Sequence, residues 1–105
     1  APQDMFEKEE EDKKITWLVP DAQHNSMEPI LLELQPGARS NELPPLESEE
    51  FGYVLHGQVN LVAGKRTYRV RKGFSFCLHP NTTHYLENTG AHPAVILWIS
   101  TPPSF

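Results

Sequence analysis

The stretch that decides the fold is GFSFCLHPNTTHYLEN, residues 73–88. Aromatic and aliphatic side chains dominate residues 74–78 and 84–87, which is typical of β-strands. His79, Pro80 and Asn81 separate the two runs, and this combination of residues marks a turn. The stretch therefore predicts two short strands joined by a turn.

The same pattern continues on both sides of this stretch. Six more runs of strand-forming residues are each followed by Pro or Gly, namely 15–19, 30–34, 51–55, 58–62, 67–70 and 95–99. The polar stretch 39–49 contains Pro44-Pro45 and is predicted to be a loop. Ten prolines and six glycines in 105 residues argue against a helical bundle. Eight short strands favour an antiparallel sandwich or small barrel, whose interior can hold one ligand.

Length and composition limit the function classes. The 105 residues make one domain, and nine bases against fourteen acids give a net charge of -5, which argues against a self-sufficient nucleic-acid binder. The longest apolar run, residues 94–99, is far shorter than the roughly 20 residues of a membrane helix, and no signal peptide is visible, so no membrane association is expected. The single cysteine, Cys77, forms no intrachain disulfide, which favours a cytoplasmic location.

Two segments concentrate charge. Residues 1–14 hold six acids and three lysines without apolar periodicity, so we interpret them as an acidic linker or tail in front of a domain that spans residues 15–105. The chain begins with Ala1 and not Met, which suggests that it was cut from a longer protein. The other segment is predicted to be a hairpin with an edge strand whose charges deter aggregation, and it carries Lys65, Arg66, Arg69, Arg71 and Lys72.

Few side chains are candidates for chemistry. His84 opens a predicted strand and shares a face with Leu86 and Asn88, so it can point into a barrel. Glu50 precedes an apolar strand and is either a rim residue or a pocket ligand, because a buried carboxylate needs a partner. Cys77 is interpreted as buried filler between two apolar residues, not as a nucleophile. The remaining histidines are assigned to turns and loops: His24, His56, His79 and His92.

Two blocks of the sequence resemble the two motifs of the cupin superfamily. In the first block, EFGYVLHG at residues 50–57, Glu50 and Gly57 keep the spacing of the family's motif. In the second block, residues 73–88, Gly73, His84 and Asn88 keep the pattern. The resemblance spans about residues 27–100 and implies an all-β fold, the double-stranded β-helix or jelly-roll barrel.

The departures from the family's pattern concern the metal site. Metal-binding cupins hold an ion with three histidines and the glutamate, but this chain has Leu and Pro at residues 43–46, where the family places His-x-His. Glu50 and His84 remain, and His79 is a weak third candidate. Two ligands are too few for tight binding of a first-row metal, so we expect no metal, no cofactor and no enzymatic activity.

The end of the chain is similar to the cupin half of bacterial helix-turn-helix (XRE-type) transcription regulators, because Pro102-Pro103 and Phe105 follow the last strand. This resemblance implies a sensory, homodimeric domain that reaches DNA only through a helix-turn-helix domain absent from this chain. A small-molecule effector, an amine or polyamine by analogy, would bind inside the barrel. The expected ligand-binding residues are Glu50, His84, Asn88, Phe76 and Trp98. Two rivals stay open: a stand-alone enzyme with a reduced metal site acting on a small organic acid or sugar, and a solid barrel that serves only to dimerise.

Overall fold

Nine β-strands make up the regular secondary structure of residues 5–19 and 24–105, which are the residues described by the structure, a computed structural model. The strands are β1 (Phe6–Glu9), β2 (Lys13–Trp17), β3 (Glu28–Leu34), β4 (Glu49–His56), β5 (Gln58–Ala63), β6 (Arg66–Arg71), β7 (Ser75–Leu78), β8 (His84–Glu87) and β9 (Ala94–Thr101). Within these residues no helix is long and apolar enough to cross a membrane.

The strands form two antiparallel sheets. One sheet has six strands in the order β1-β2-β3-β9-β4-β7, and the other has three in the order β6-β5-β8. Strands far apart in sequence are neighbours, for example β3 with β9 and β4 with β9. This arrangement confirms the all-β jelly-roll fold expected from the sequence.

Alternation of side chains along the strands places the core between the two sheets. In β3 the inward residues are Ile30, Leu32 and Leu34, and in β9 the inward residues include Ile96 and Trp98, all of them buried. Burial of each such side chain contributes about 1.5–3 kcal/mol to folding. The same alternation carries polar residues inward at one end of the core, where Glu28, Ser100 and Glu50 are paired in register across β3, β9 and β4.

The edges of the two sheets differ in how they are covered. The free edge of β8 is covered by the loop between β3 and β4, because His84 and Leu43 exchange backbone hydrogen bonds of 2.8 and 2.9 Å. Strand β6 is the other edge of the small sheet and carries Arg66, Arg69 and Arg71, as expected for a charged edge. Strand β7 is an edge of the large sheet.

Two details of the sequence interpretation need correction. The acidic segment 1–14 contains a strand, because Phe6–Glu9 pair with residues 14–17 of β2; residues 1–4 lie outside the described part. Cys77 is exposed, so its assignment as buried filler was wrong. Its neighbours Phe76 and Leu78 face the interior, and alternation along β7 therefore turns Cys77 outward.

Candidate functional site

Glu50 and His84 meet inside the barrel, one from each sheet. Glu50 lies near the start of β4, with Ser100 and Leu78 as its neighbours in register, and His84 is the first residue of β8. Both side chains are fully buried. The His84 Nε2 atom lies 2.8 Å from Glu50 Oε2, which makes a hydrogen-bonded pair between residues 34 positions apart.

The surroundings of His84 fix its protonation pattern. Its Nδ1 lies 3.1 Å from the carbonyl oxygen of Thr82, which can only accept, so Nδ1 carries a proton. Burial disfavours the charged imidazole, but the hydrogen bond and negative charge of Glu50, with the Thr82 carbonyl, outweigh this effect and raise the pKa of His84 above its usual value. In the imidazolium form both ring nitrogens donate, so the protonated ring and the Glu50 carboxylate form a buried ion pair.

Two polar atoms in this region lack hydrogen-bonding partners. Glu50 Oε1 and the indole Nε1 of Trp98 are buried, and among the described residues neither finds a partner. Glu50 is opposite Ser100 and Trp98 is opposite Gly52, so the two side chains are diagonal neighbours on the inner face of β4 and β9. One atom is an acceptor and the other a donor. A buried polar group without a hydrogen-bonding partner costs about 1–3 kcal/mol of stability. Two such atoms on neighbouring strands are therefore unusual for a protein core.

Aromatic rings form the adjacent wall. Phe76 and Trp98 lie on either side of Gly52 in register and meet edge to face, with ring centroids 6.2 Å apart. A side chain at Gly52 would overlap the Phe76 ring, since an added Cβ would lie 2.1 Å from it. On its other side Trp98 contacts Phe105 at 4.9 Å between centroids. Gly52 therefore lets the two rings close over the interior.

Two open spaces flank this wall. A cleft of about 450 Å³ lies between β6 and β7, and its lining includes His84, Phe76, Leu78 and Arg69. A smaller cavity of about 260 Å³ lies against the inner faces of β2, β3 and β9, and its lining includes Trp98. Phe76, His84 and Trp98 therefore border spaces that can hold a small molecule, whereas Glu50 lies outside the described lining of both.

Asn88 and His79, two further candidates, are engaged elsewhere. The Asn88 amide donates to the carbonyl oxygens of Leu34 and His92 at 3.0 and 2.8 Å, and its oxygen accepts from the Gly90 amide at 2.9 Å. These bonds support the turn-holding role of Asn88 and not ligand contact. The His79 side chain is 76% exposed and lies 3.1 Å from Glu49, so the structure does not bring it to the buried pair.

The residues around Glu50 do not fit the metal site implied by the family. In residues 5–19 and 24–105, no three His, Cys, Asp or Glu side chains are grouped to hold an ion. Leu43 occupies the position beside His84, where its backbone pairs with that of His84, and its side chain packs against the core. One carboxylate and one imidazole are fewer than the four ligands of a structural site or the three of a catalytic one.

Sequence reasoning missed Glu28. Its Oε2 accepts from the Trp17 indole at 2.9 Å, and its Oε1 accepts from the amides of Ser104 and Phe105 at 2.8 and 2.7 Å. The buried Glu28 carboxylate thus holds the C-terminal residues against the barrel and positions Phe105 beside Trp98. The available signal was a glutamate at the head of an apolar strand, the same signal that identified Glu50.

The chain belongs to the cupin family, because the model of the cupin domain matches residues 30–100. Among curated proteins, uncharacterized protein MJ1618 of Methanocaldococcus jannaschii is 38% identical over 56 residues. The matched stretch covers 53% of this chain and 45% of that protein. The chain thus matches less than half the length of this curated relative.

Solved structures with the same fold include regulators and an enzyme. The cupin domain of an XRE family transcriptional regulator from Enterobacter cloacae has a TM-score of 0.78 at 18% identity, covering 89% of this chain and 99% of that one. An HTH_3 family transcriptional regulator from Vibrio cholerae has a TM-score of 0.75 at 20% identity, and the match covers 88% of this chain and 52% of that one. Lactobacillus farciminis oxalate decarboxylase has a TM-score of 0.80 at 23% identity, and the match covers 100% of this chain and 33% of that one. These likenesses establish the fold and leave the activity open.

Proposed function

We propose that this chain is the small-molecule effector-sensing and dimerisation domain of a cytoplasmic transcription regulator, whose DNA-binding helix-turn-helix domain lies outside this chain. The effector binds in the barrel interior, at the wall formed by Glu50, His84, Phe76 and Trp98. The chain acts without enzymatic turnover. Binding shifts a homodimer between two arrangements and so changes the affinity of the attached DNA-binding domain for its operator.

One observation carries the proposal. The Glu50 carboxylate oxygen and the Trp98 indole nitrogen are buried on neighbouring strands, and no described protein group bonds to either. Buried polar groups are normally satisfied, so an unpartnered donor beside an unpartnered acceptor favours a bound polar molecule. The cleft of about 450 Å³ at His84 and the cavity of about 260 Å³ at Trp98 have room for such a molecule.

The charge of the interior bears on the class of effector. The expectation of an amine rests on the Glu50 carboxylate, whose Oε2 is already bonded to His84. The described lining of the cleft at His84 contains Arg69 and His79 and includes no acidic residue. An amine would thus find only Glu50 Oε1 as an anionic partner. An uncharged polar molecule needs no anionic partner, so it is the better match to this interior.

The fold neighbours support the regulatory context. Cupin domains of an XRE family and an HTH_3 family regulator share the fold, and the match covers 52% of the second protein's chain. The rest of the HTH_3 family regulator's chain lies outside the match and is long enough for a further domain. The acidic net charge of this chain, -5, fits a role in which another domain contacts DNA.

A thermal-shift screen of small metabolites tests the proposal. An effector at about 100 times its dissociation constant stabilises the folded protein by about 2.7 kcal/mol, which raises Tm by roughly 10–20 °C for a domain of this size. Glu50→Gln and His84→Ala are expected to abolish the shift, whereas His92→Ala, in an exposed loop, leaves it unchanged. The proposal fails if no metabolite shifts Tm, or if hits are insensitive to both interior substitutions.

The fold neighbour oxalate decarboxylase favours an enzyme as the second candidate, with a reduced metal site at Glu50 and His84 and a small organic acid or sugar as substrate. Elemental analysis of the purified chain separates the two candidates. One tightly held first-row metal ion per chain, lost in His84→Ala, would replace the sensing proposal by the enzyme. A packed barrel that only dimerises would show neither an ion nor an effector, while size-exclusion chromatography would still show a dimer.

A further inference from the structure

The cavity beside Trp98 has a lining that is distinct from the cleft at His84. Its described lining comes from strands β1, β2, β3 and β9, from the loop residues Ser40, Asn41 and Leu43, and from Phe105. We propose that this Trp98 cavity binds a small, uncharged molecule that has an apolar ring or branched body and one hydroxyl group. The inference rests on the proposed function and specifies the chemical class of the effector.

The walls of the Trp98 cavity select an apolar body. Its described lining is dominated by aliphatic and aromatic side chains: Ile15, Trp17, Ile30, Leu32, Leu43, Trp98 and Phe105. Polar lining is confined to Ser40 and Asn41, and the charged contribution comes from Lys8 of β1. The two polar loop residues are occupied, because Ser40 Oγ accepts from the Leu86 amide and Asn41 Oδ1 accepts from Lys13 Nζ. Apolar surface therefore supplies most of the binding energy.

Two buried polar atoms, one on a lining residue and one on its neighbour outside the described lining, select a hydroxyl. Trp98 lines it and supplies an indole N–H without a partner, which requires an acceptor on the ligand. Glu50, the diagonal neighbour of Trp98 on the same inner face, supplies an oxygen without a partner, which requires a donor. A hydroxyl group satisfies both. An ammonium group offers no acceptor to Trp98, and a carboxylate offers no donor to Glu50.

The volume limits the ligand. A cavity of about 260 Å³ holds roughly nine groups of the size of a water molecule, at ~30 Å³ each. This is below the range of drug-sized sites, roughly 300–1,000 Å³. A single saturated or aromatic ring with one polar substituent fits this limit.

Cyclohexanol, cyclohexylamine and cyclohexanecarboxylate test the inference, because the three probes share one ring and differ in their polar group. Binding to the ¹⁵N-labelled chain is followed through the indole N–H signals of the tryptophans. The Gly90 amide is the internal reference, since it lies outside the described lining of both cavities and donates to Asn88 Oδ1 at 2.9 Å. We expect cyclohexanol to shift the Trp98 signal and slow its hydrogen exchange, while the Gly90 amide is unchanged. The amine and the carboxylate are expected to bind at least about fivefold more weakly.

Three variants make the test specific. Trp98→Phe removes the N–H but keeps an aromatic ring and should weaken cyclohexanol binding about fivefold. Leu43→Phe fills the cavity and should abolish binding, whereas Leu97→Phe makes the same type of change on the outer face of β9 and should not alter it. A folded spectrum with the Gly90 amide signal in place shows that each variant is intact.

The outcomes separate this inference from the proposed function. Equal or tighter binding of the amine or the carboxylate overturns the hydroxyl class. Binding of no probe also overturns the inference, and slow Trp98 exchange in buffer would then show that the indole N–H is shielded from solvent and ligand alike. If a metabolite from the screen then binds and responds to His84→Ala but not to Trp98→Phe, the proposed function stands without this inference.

Discussion

His84 Nε2 and Glu50 Oε2 lie 2.8 Å apart and link the two sheets of the barrel through side chains that are both fully buried. The pair replaces the larger cluster of metal ligands that the family's motif would provide, since Leu and Pro occupy residues 43–46. A buried pair of this kind contributes little net stability compared with apolar residues, but it is costly to break. Net stability alone therefore does not explain why the core holds this pair.

The pair makes stability depend on pH. The pKa of His84 is raised in the folded protein by Glu50 and Thr82 against the opposing effect of burial, so the folded state binds its proton more tightly than the unfolded state. The stabilisation is complete below the ordinary histidine pKa of about 6.5 and is lost as pH rises through the elevated folded pKa.

Urea unfolding between about pH 5 and pH 9 measures this dependence. We expect the contribution of the pair to fall towards alkaline pH in the wild type and to be largely lost in Glu50→Gln, which removes the charge. His79→Gln is the control, because His79 and Glu49 form an exposed pair. A free energy of unfolding with the same pH slope in wild type and Glu50→Gln would contradict the assignment.

Removing one partner is expected to cost more than removing both. His84→Leu leaves Glu50 buried without its imidazole and should lower the free energy of unfolding by about 3–5 kcal/mol at neutral pH. The double variant Glu50→Leu/His84→Leu should recover most of this loss, because neither charged group remains. Chemical denaturation of Glu50→Leu, His84→Leu and the double variant gives the three free energies of unfolding for this double-mutant cycle. Additive losses would show that the two side chains do not act as a pair.

Asn88 is expected to matter for stability and not for binding. Asn88→Ala removes three hydrogen bonds and leaves the Leu34 carbonyl without its side-chain donor, so it should cost about 2–3 kcal/mol. Asn60→Ala is the matched control, because the Asn60 amide makes more peripheral bonds to Glu87 and Thr89. Thermal denaturation gives the stabilities, and titration with a hit from the metabolite screen gives the affinities. A loss of affinity well beyond that explained by unfolding would return Asn88 to the binding site.

Gly52 is required by the aromatic wall. Gly52→Ala places a methyl group against the Phe76 ring and should destabilise the protein by about 1–3 kcal/mol. Phe76→Ala in the same chain should relieve the overlap, so the double variant loses less than the sum of the two single variants. Urea denaturation measures the three losses of stability. If the loss in the double variant equals the sum of the two single losses, the Phe76 ring moves aside without cost.

Strands with one buried face could be predicted from the sequence, and the strand without one could not. The runs 30–34 and 95–99 are rich in large apolar residues because the strands that contain them, β3 and β9, bury one face in the core. Strand β1 is exposed at all four positions and has Phe6 as its one apolar residue, so no such run marks it. Cys77 was misassigned because its apolar neighbours were taken as evidence of burial, although alternation requires the opposite.

The contacts of the candidate site depend on long-range pairing. Glu50 and His84 could be selected as candidates by motif resemblance, but their 2.8 Å contact joins residues from different sheets and follows from no local pattern. Two of the three partners of Glu28 lie 76 and 77 residues away at the C-terminus, and no local pattern predicts these contacts. Whether Glu50, His84, Phe76 and Trp98 bind an effector stays a prediction.

Native mass spectrometry of the gently purified protein tests the central claim most directly, because it detects organic guests and metal ions in the same spectrum. The account predicts an added mass of a small organic molecule, present in the wild type and in His92→Ala but absent in Glu50→Gln and His84→Ala. A stoichiometric metal ion that is retained by the wild type and lost in His84→Ala would contradict it.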